Sequence, residues 1–139
     1  EIEARTGANI PWIFDVEGEE GFRLREESVI DLLTRRQHIV LATGGGAVLR
    51  EANRRHLHER GTVVYLYTPV SIQLERTARD RNRPLLQTAD PRQRLTDLMT
   101  VRDPLYRETA HIIMPTEGGS ARDVAMRIIH ALEARDALE

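Results

Sequence analysis

The stretch His38-Ile39-Val40-Leu41-Ala42-Thr43-Gly44-Gly45-Gly46 sets how the rest of the chain is read. The short apolar run at 38–43 predicts a buried strand, and three consecutive glycines end it. A helix over roughly Leu49–Arg60 follows, closed by Gly61, and then a second buried strand, Thr62-Val-Val-Tyr-Leu-Tyr67. A third short strand is expected at His111-Ile-Ile-Met114. Strands that alternate with helices predict an α/β fold, a parallel sheet covered by helices on both faces.

Working outward, Glu1–Thr6 reads as the end of a helix stopped by Gly7. Asn9 caps a short helix carrying Trp12, Ile13 and Phe14 that ends near Gly18, and a longer helix runs to about Arg36. Phe22, Val29, Ile30 and Leu33 give that longer helix an apolar stripe. Beyond the second strand, Thr68 and Pro69 form a helix start, as cap and first-turn proline. Asp90-Pro91 starts another helix, expected to break at Pro104. Ser120 caps a last one with Val124, Ile128, Ile129 and Leu132 on one face. Three strands are fewer than the usual four to six or so. With the abrupt opening, this leads to the expectation that one or two strands precede Glu1.

The 139 residues are 40% hydrophobic and 30% charged, which suits one soluble globular domain. Cysteine is absent, so neither a disulfide framework nor a thiolate metal site is available. No apolar run approaches membrane-spanning length, and a net charge of -2 argues against a general nucleic-acid binder. All 20 positively charged side chains are arginine. Codon bias is the readier explanation, ahead of selection for planar donor forks. Either way, no phosphate-binding loop of the form GxxxxGK[ST] can occur in the sequence, because its lysine is absent.

The triple glycine is the first candidate for chemistry, because ligands of open parallel sheets bind outside the carboxyl ends of strands. By itself it is an ordinary tight turn as readily as a ligand loop. The arginines come next. Arg23 lies near the start of the long helix and Arg102 just before Asp103-Pro104-Leu105-Tyr106. Arg76, Arg79, Arg81 and Arg83 crowd one segment, where like charges repel unless an anion relieves them. A polyphosphate is the natural partner, and an RNA is the rival, although interleaved aromatics are missing. His56 and His58 are two apart on a predicted helix and share no face, and no HExxH pattern occurs. Ser28, Ser71 and Ser120 lack a nucleophile elbow. Glu17, Glu19 and Glu20 read as helix-start charges rather than an acid–base pair.

Taken in order, several segments resemble the shikimate kinases over nearly the whole chain. They are Glu3-Ala-Arg-Thr-Gly7, Phe14 through Glu17-Gly-Glu-Glu-Gly-Phe-Arg23, and Arg25-Glu26-Glu27. Leu41-Ala-Thr-Gly-Gly-Gly46, Arg83-Pro-Leu-Leu86 and Arg102-Asp-Pro-Leu-Tyr106 complete the set. The resemblance implies a P-loop, nucleoside-monophosphate-kinase-like parallel sheet in the order 2-3-1-4-5. The runs at 38–43, 62–67 and 111–114 would be its strands 3, 4 and 5. Strand 1, the phosphate-binding loop, strand 2 and an Asp-x-Asp motif that helps bind magnesium would precede Glu1.

The implied reaction moves the γ-phosphate of ATP, with Mg2+, to the 3-hydroxyl of shikimate in chorismate biosynthesis. Residues 1–139 would form a single domain, with a substrate-binding region at 14–46 and a lid at 76–90. Arg23 and Arg102 match the two arginines on the shikimate carboxylate. Gly45 and Gly46 match glycines approaching shikimate from beneath, with Gly44 opening the turn. Phe14 and Phe22 match aromatic walls of the pocket or serve as core, and Glu26 orients Arg23 from one helical turn away. Arg83 matches the lid arginine that reaches the transferred phosphate, and Arg76 a residue lying against adenine. Arg79 and Arg81 are taken as lid charges. The loop Pro115–Gly119 corresponds to a segment near adenine but departs from members with a basic residue there.

The resemblance further implies a cytoplasmic monomer that binds neither nucleic acid nor membrane. Because the phosphate loop is not among the 139 residues, a polypeptide of these residues alone is expected to be inactive. Two rivals stand beside this reading. One is another small-molecule kinase, such as a gluconate kinase; the other is a non-catalytic remnant that holds shikimate or a nucleotide.

Overall fold

A computed structural model describes residues 10–77 and 90–138, with side chains over 18–76 and 90–137. The chain divides at Thr62/Val63 into two compact units.

The first unit is helical. α1 spans Ile10–Leu33 and contains one non-helical residue, Gly18, at φ 74°. Glycine enters this left-handed region without Cβ strain, so the helix can kink there. The short and long helices expected from the sequence are therefore the two arms of α1. Beyond the kink, Phe22, Val29 and Ile30 are buried as the stripe predicts. A 3₁₀ turn, Gly45–Leu49, then leads into α2, Glu51–Arg60. Ala47 and Val48 of the turn are buried in the core. α2 is tied to α1 at both ends. Arg50 pairs with Glu20 and, at 3.4 Å, with Glu27. Arg60 Nη1 donates to Asp31 Oδ1 at 2.8 Å and to Thr34 Oγ1 at 3.0 Å.

The run at 38–43, expected as a buried strand, is not one. It is irregular chain with Val40 fully exposed, and it belongs to no sheet among the described residues. A strand exists only where another strand satisfies its backbone N–H and C=O groups. No strand lies against this run among the described residues, so apolar character alone does not make it regular.

The second unit holds the sheet. β1, Val64–Tyr67, and β2, Ile112–Pro115, pair in parallel with Tyr65 opposite Ile113. These are two of the three expected strands, each shifted by one or two residues. Between them run α3, Val70–Thr77, and α4, Pro91–Thr109. α5, Ala121–Leu138, follows β2. Asp90 caps α4 by accepting from the Gln93 N–H, with Pro91 in the first turn. Ser120 caps α5 through the Asp123 N–H. Thr68 does not cap α3; its hydroxyl lies 2.6 Å from that of Thr116. Along α5, Val124 is buried as expected, but Ile129 is exposed.

α4 does not break at Pro104. The proline removes the N–H that would bond to the Thr100 carbonyl, yet the helix continues to Thr109. Side-chain bonds hold both sides of the gap. Asp103 accepts from Tyr65 of β1 at 2.7 Å and from Arg107 at 2.9 Å.

Candidate functional site

In the first unit the site is built around Arg23. α1 places Glu26 one turn on, and Arg23 Nη1 donates to Glu26 Oε1 at 2.7 Å. Only 11% of the Arg23 side chain and 7% of that of Glu26 remain exposed, so the pair is largely withdrawn from water. Such a bond is charge-assisted and fixes the plane of the guanidinium. Phe22 lies beneath it, with the Arg23 Cζ 5.1 Å from the ring centre. Glu19 is 3.8 Å from Arg23 Nε, too far for a hydrogen bond. Nε is buried without an acceptor.

The glycine turn closes over this guanidinium. A Cβ built on Gly46 would lie 2.6 Å from Arg23 Cζ and 2.7 Å from Nη1. Only glycine allows so close an approach. At Gly44 a Cβ would meet Glu26 Oε2 at 3.6 Å, an ordinary contact. Gly45 is exposed at the turn. The structure thus brings Arg23, Glu26, Phe22 and the Gly44–Gly46 turn together, from two segments that the sequence reading singled out separately.

What braces the turn was not foreseen. Asn53 of α2 is fully buried and donates from Nδ2 to the Ala47 carbonyl at 2.9 Å. Arg54 Nη1 donates to the Val48 carbonyl at 2.6 Å. Both side chains reach back onto the 3₁₀ turn that Gly45 begins. In the sequence Asn53 is one polar residue in a charged helix, and nothing marks it as interior.

Beside Arg23 a cavity of about 750 Å3 is lined by Glu19, Glu20, Glu27 and Glu51 with Arg23 and Arg50. Its carboxylates outnumber its guanidinium groups, so it is poorly suited to an anion. The hydrogen bond from Arg50 to Glu20 holds the Arg50 guanidinium above its ordinary pKa against the opposing effect of burial, with Glu20 and Glu27 adding charge attraction.

In the second unit Arg102 lies half-buried on α4, with no hydrogen bond or ion pair among the described residues. Its neighbour Asp103 is fully engaged by Tyr65 and Arg107. Burial pushes the Asp103 carboxyl up, but hydrogen bonds from Tyr65 and Arg107 outweigh it and leave the pKa lowered. Burial, then the bond to Asp103, raises that of Tyr65 well above the phenol range, so Tyr65 remains a donor. The Arg107 guanidinium sits 5.4 Å from the Tyr67 ring centre and 6.0 Å from that of Tyr65. Tyr106 packs 4.8 Å from Tyr65.

Arg76, at the end of α3, reaches the loop after β2. Its Nη2 donates to the Thr116 carbonyl at 3.3 Å. Thr116 is buried and bonded to Thr68, whose carbonyl accepts from Gln73 at 2.7 Å. Arg76 and the 115–119 loop, two separate expectations, are therefore in contact. Arg79, Arg81 and Arg83 lie outside the described residues, as does the Phe14 side chain.

Comparison with known proteins gives one result throughout. The family description "Shikimate kinase" matches residues 1–133. The shikimate kinase of Halorhodospira halophila is 63% identical over 134 residues, covering 96% of this chain and 76% of that protein. Among solved structures, the shikimate kinase of Acinetobacter baumannii in complex with shikimate is 57% identical, with a TM-score of 0.91 over 96% of this chain and 75% of the other. The shikimate kinase of Aquifex aeolicus is 31% identical, with a TM-score of 0.82, covering 97% and 78% of the two chains.

Proposed function

The chain belongs to the shikimate kinase family, and from that premise we propose that it helps transfer the γ-phosphate of ATP to the 3-hydroxyl of shikimate. In this reaction the bond between the γ-phosphorus and the β–γ bridging oxygen breaks, and a bond to the hydroxyl oxygen forms. ADP leaves with the bridging oxygen, and the hydroxyl loses its proton. The protein is a kinase with ATP as co-substrate, and little covalent chemistry is asked of it beyond placement and charge stabilisation.

One observation carries the assignment of this chain's own residues. The Arg23 guanidinium is held by Glu26 against the Gly46 backbone, largely buried, with its Nε–H without an acceptor. A guanidinium is a planar fork of five N–H donors, and one held in place and largely desolvated is suited to a carboxylate. Arg102 supplies a second guanidinium, with Asp103 beside it already engaged. Gly45 and Gly46 give the substrate ring a floor without side chains. Phe22 belongs to the core and backs the guanidinium, and Phe14 is assigned to the pocket wall by resemblance.

Arg76, bonded to Thr116, is assigned to the adenine side, where a guanidinium can stack on a base. Residues 76–90 are proposed as a lid, with Arg83 on the transferred phosphate. Closure of such a lid excludes water that would otherwise accept the phosphoryl group. Region 14–46 is the acid-substrate part of the domain. Among the described residues no group of three or more His, Asp or Glu could hold a metal ion. Mg2+ would be held largely by the phosphates of ATP and by water, since it takes only one or two carboxylates from a protein. We assign the enzyme to the cytoplasm as a monomer; no helix among the described residues is long and apolar enough to cross a membrane.

The test is ADP release by the protein expressed from its complete reading frame, with shikimate and with gluconate as acceptors. Release with shikimate alone is expected. Equal or greater release with gluconate would replace this reading by its nearest rival, and release with neither would favour a binding remnant.

A further inference from the structure

Arg102 is followed two positions on by Pro104, the proline in the interior of α4, which cannot donate the backbone bond that position would make. The Thr100 carbonyl therefore lacks its usual backbone partner, and Arg102 lies inside the turn that has lost this bond. At that point one anchor crosses from the sheet. Tyr65 of β1 donates its phenol to Asp103 Oδ1 at 2.7 Å, and Arg107 takes the other oxygen at 2.9 Å.

Successive residues of a helix leave the axis about 100° apart, so fixing the direction of one fixes that of the next. We propose that Tyr65, through Asp103, is a positioning residue for shikimate: it sets the rotation of α4 about its axis at Arg102 and so aims that guanidinium. The bond also occupies the carboxylate next to Arg102 in the chain, which keeps it from competing with the carboxylate of the substrate for Arg102. Arg107 completes the device by clamping Asp103 from one turn on while resting against the Tyr65 and Tyr67 rings. The inference rests on the assignment of Arg102 to the shikimate carboxylate.

The experiment compares the protein from its complete reading frame with Tyr65→Phe, Asp103→Asn, Arg102→Ala and the double variant Tyr65→Phe/Arg102→Ala. Steady-state constants are measured for both substrates. Tyr65→Phe is expected to raise the KM for shikimate about tenfold, the cost of one charge-assisted bond, with the KM for ATP and kcat within about twofold. Asp103→Asn keeps an acceptor for Tyr65 but loses the charge that Arg107 clamps, and it should fall between wild type and Tyr65→Phe. In the double variant Tyr65→Phe should add nothing to the effect of Arg102→Ala, because the two act on one contact.

If Tyr65→Phe instead raises both KM values alike, or adds its full effect in the Arg102→Ala background, Tyr65 is merely structural and the inference fails. An unchanged KM for shikimate in Arg102→Ala overturns the assignment of Arg102 itself. An effect of Arg102→Ala without one of Tyr65→Phe overturns the positioning role alone.

Discussion

The Arg23 guanidinium lies so close over the Gly46 backbone that a Cβ there would stand 2.6 Å from Arg23 Cζ. The two residues come from different segments, and the arginine is locked from its other side by Glu26. With Arg23 proposed to hold the shikimate carboxylate, substrate placement would depend on the absence of a side chain at Gly46.

Gly46→Ala should accordingly separate binding from stability. The obstructing atoms are the far end of a long side chain, so the fold yields by moving Arg23 rather than by unfolding. The KM for shikimate is expected to rise about tenfold or more as the fork leaves its place. The melting temperature should change by only a few degrees. Kinetics and a thermal melt on the same preparation check both parts.

Glu26→Ala leaves a largely buried guanidinium without its anion. Loss of one partner of a hydrogen-bonded ion pair costs about 1–3 kcal/mol of stability, and more if the remaining charge cannot reach water. Denaturant unfolding measures this cost. Shikimate affinity should fall as well, since nothing then fixes the plane of Arg23.

Asn53→Ala tests the brace behind the turn. The Ala47 carbonyl would lose its buried donor, at a cost of about 1–3 kcal/mol. Because that carbonyl lies one residue beyond Gly46, the KM for shikimate should rise severalfold while the KM for ATP stays near wild type. Arg76→Ala should give the reverse pattern, a higher KM for ATP and little change for shikimate.

The cap of α5 gives a pH prediction. Asp123 Oδ2 accepts from the Ser120 N–H at 3.0 Å. That backbone bond, then the Ser120 hydroxyl, holds the Asp123 carboxyl below the usual carboxylate range. A lowered folded-state pKa means that the ionised form is the stabilised one. The contribution is present above the unfolded-state value of about 3.9 and is lost as the pH falls through the folded-state value. The melting temperature of Asp123→Asn should lie below that of wild type at pH 7, and the two should converge as the pH falls through and below the folded-state value.

Local signals in the sequence carried further than partner-dependent ones. The Gly18 kink, the Asp90 and Ser120 caps and the Phe22–Val29–Ile30 stripe depend on residues near one another in the chain, and the structure has them. The Arg23–Glu26 pair was legible for the same reason, being one helical turn apart. The run at 38–43 was not, because a strand is a property of two segments and only one was in view. Pro104 was expected to end a helix because the restraint that carries α4 past it, Tyr65, lies 38 residues away in sequence from Asp103. The burial of Asn53 and of Thr116 was not legible, because burial of a small polar residue is decided by what packs around it.

Calorimetric titration with shikimate is the most direct test of the central claim that Arg23 and Arg102 hold the substrate carboxylate. It would be run on the protein from its complete reading frame and on its Arg23→Ala and Arg102→Ala variants. Each variant should bind about tenfold or more weakly than wild type, the loss of a charge-assisted contact. Affinities within about twofold of wild type in both variants would contradict the account.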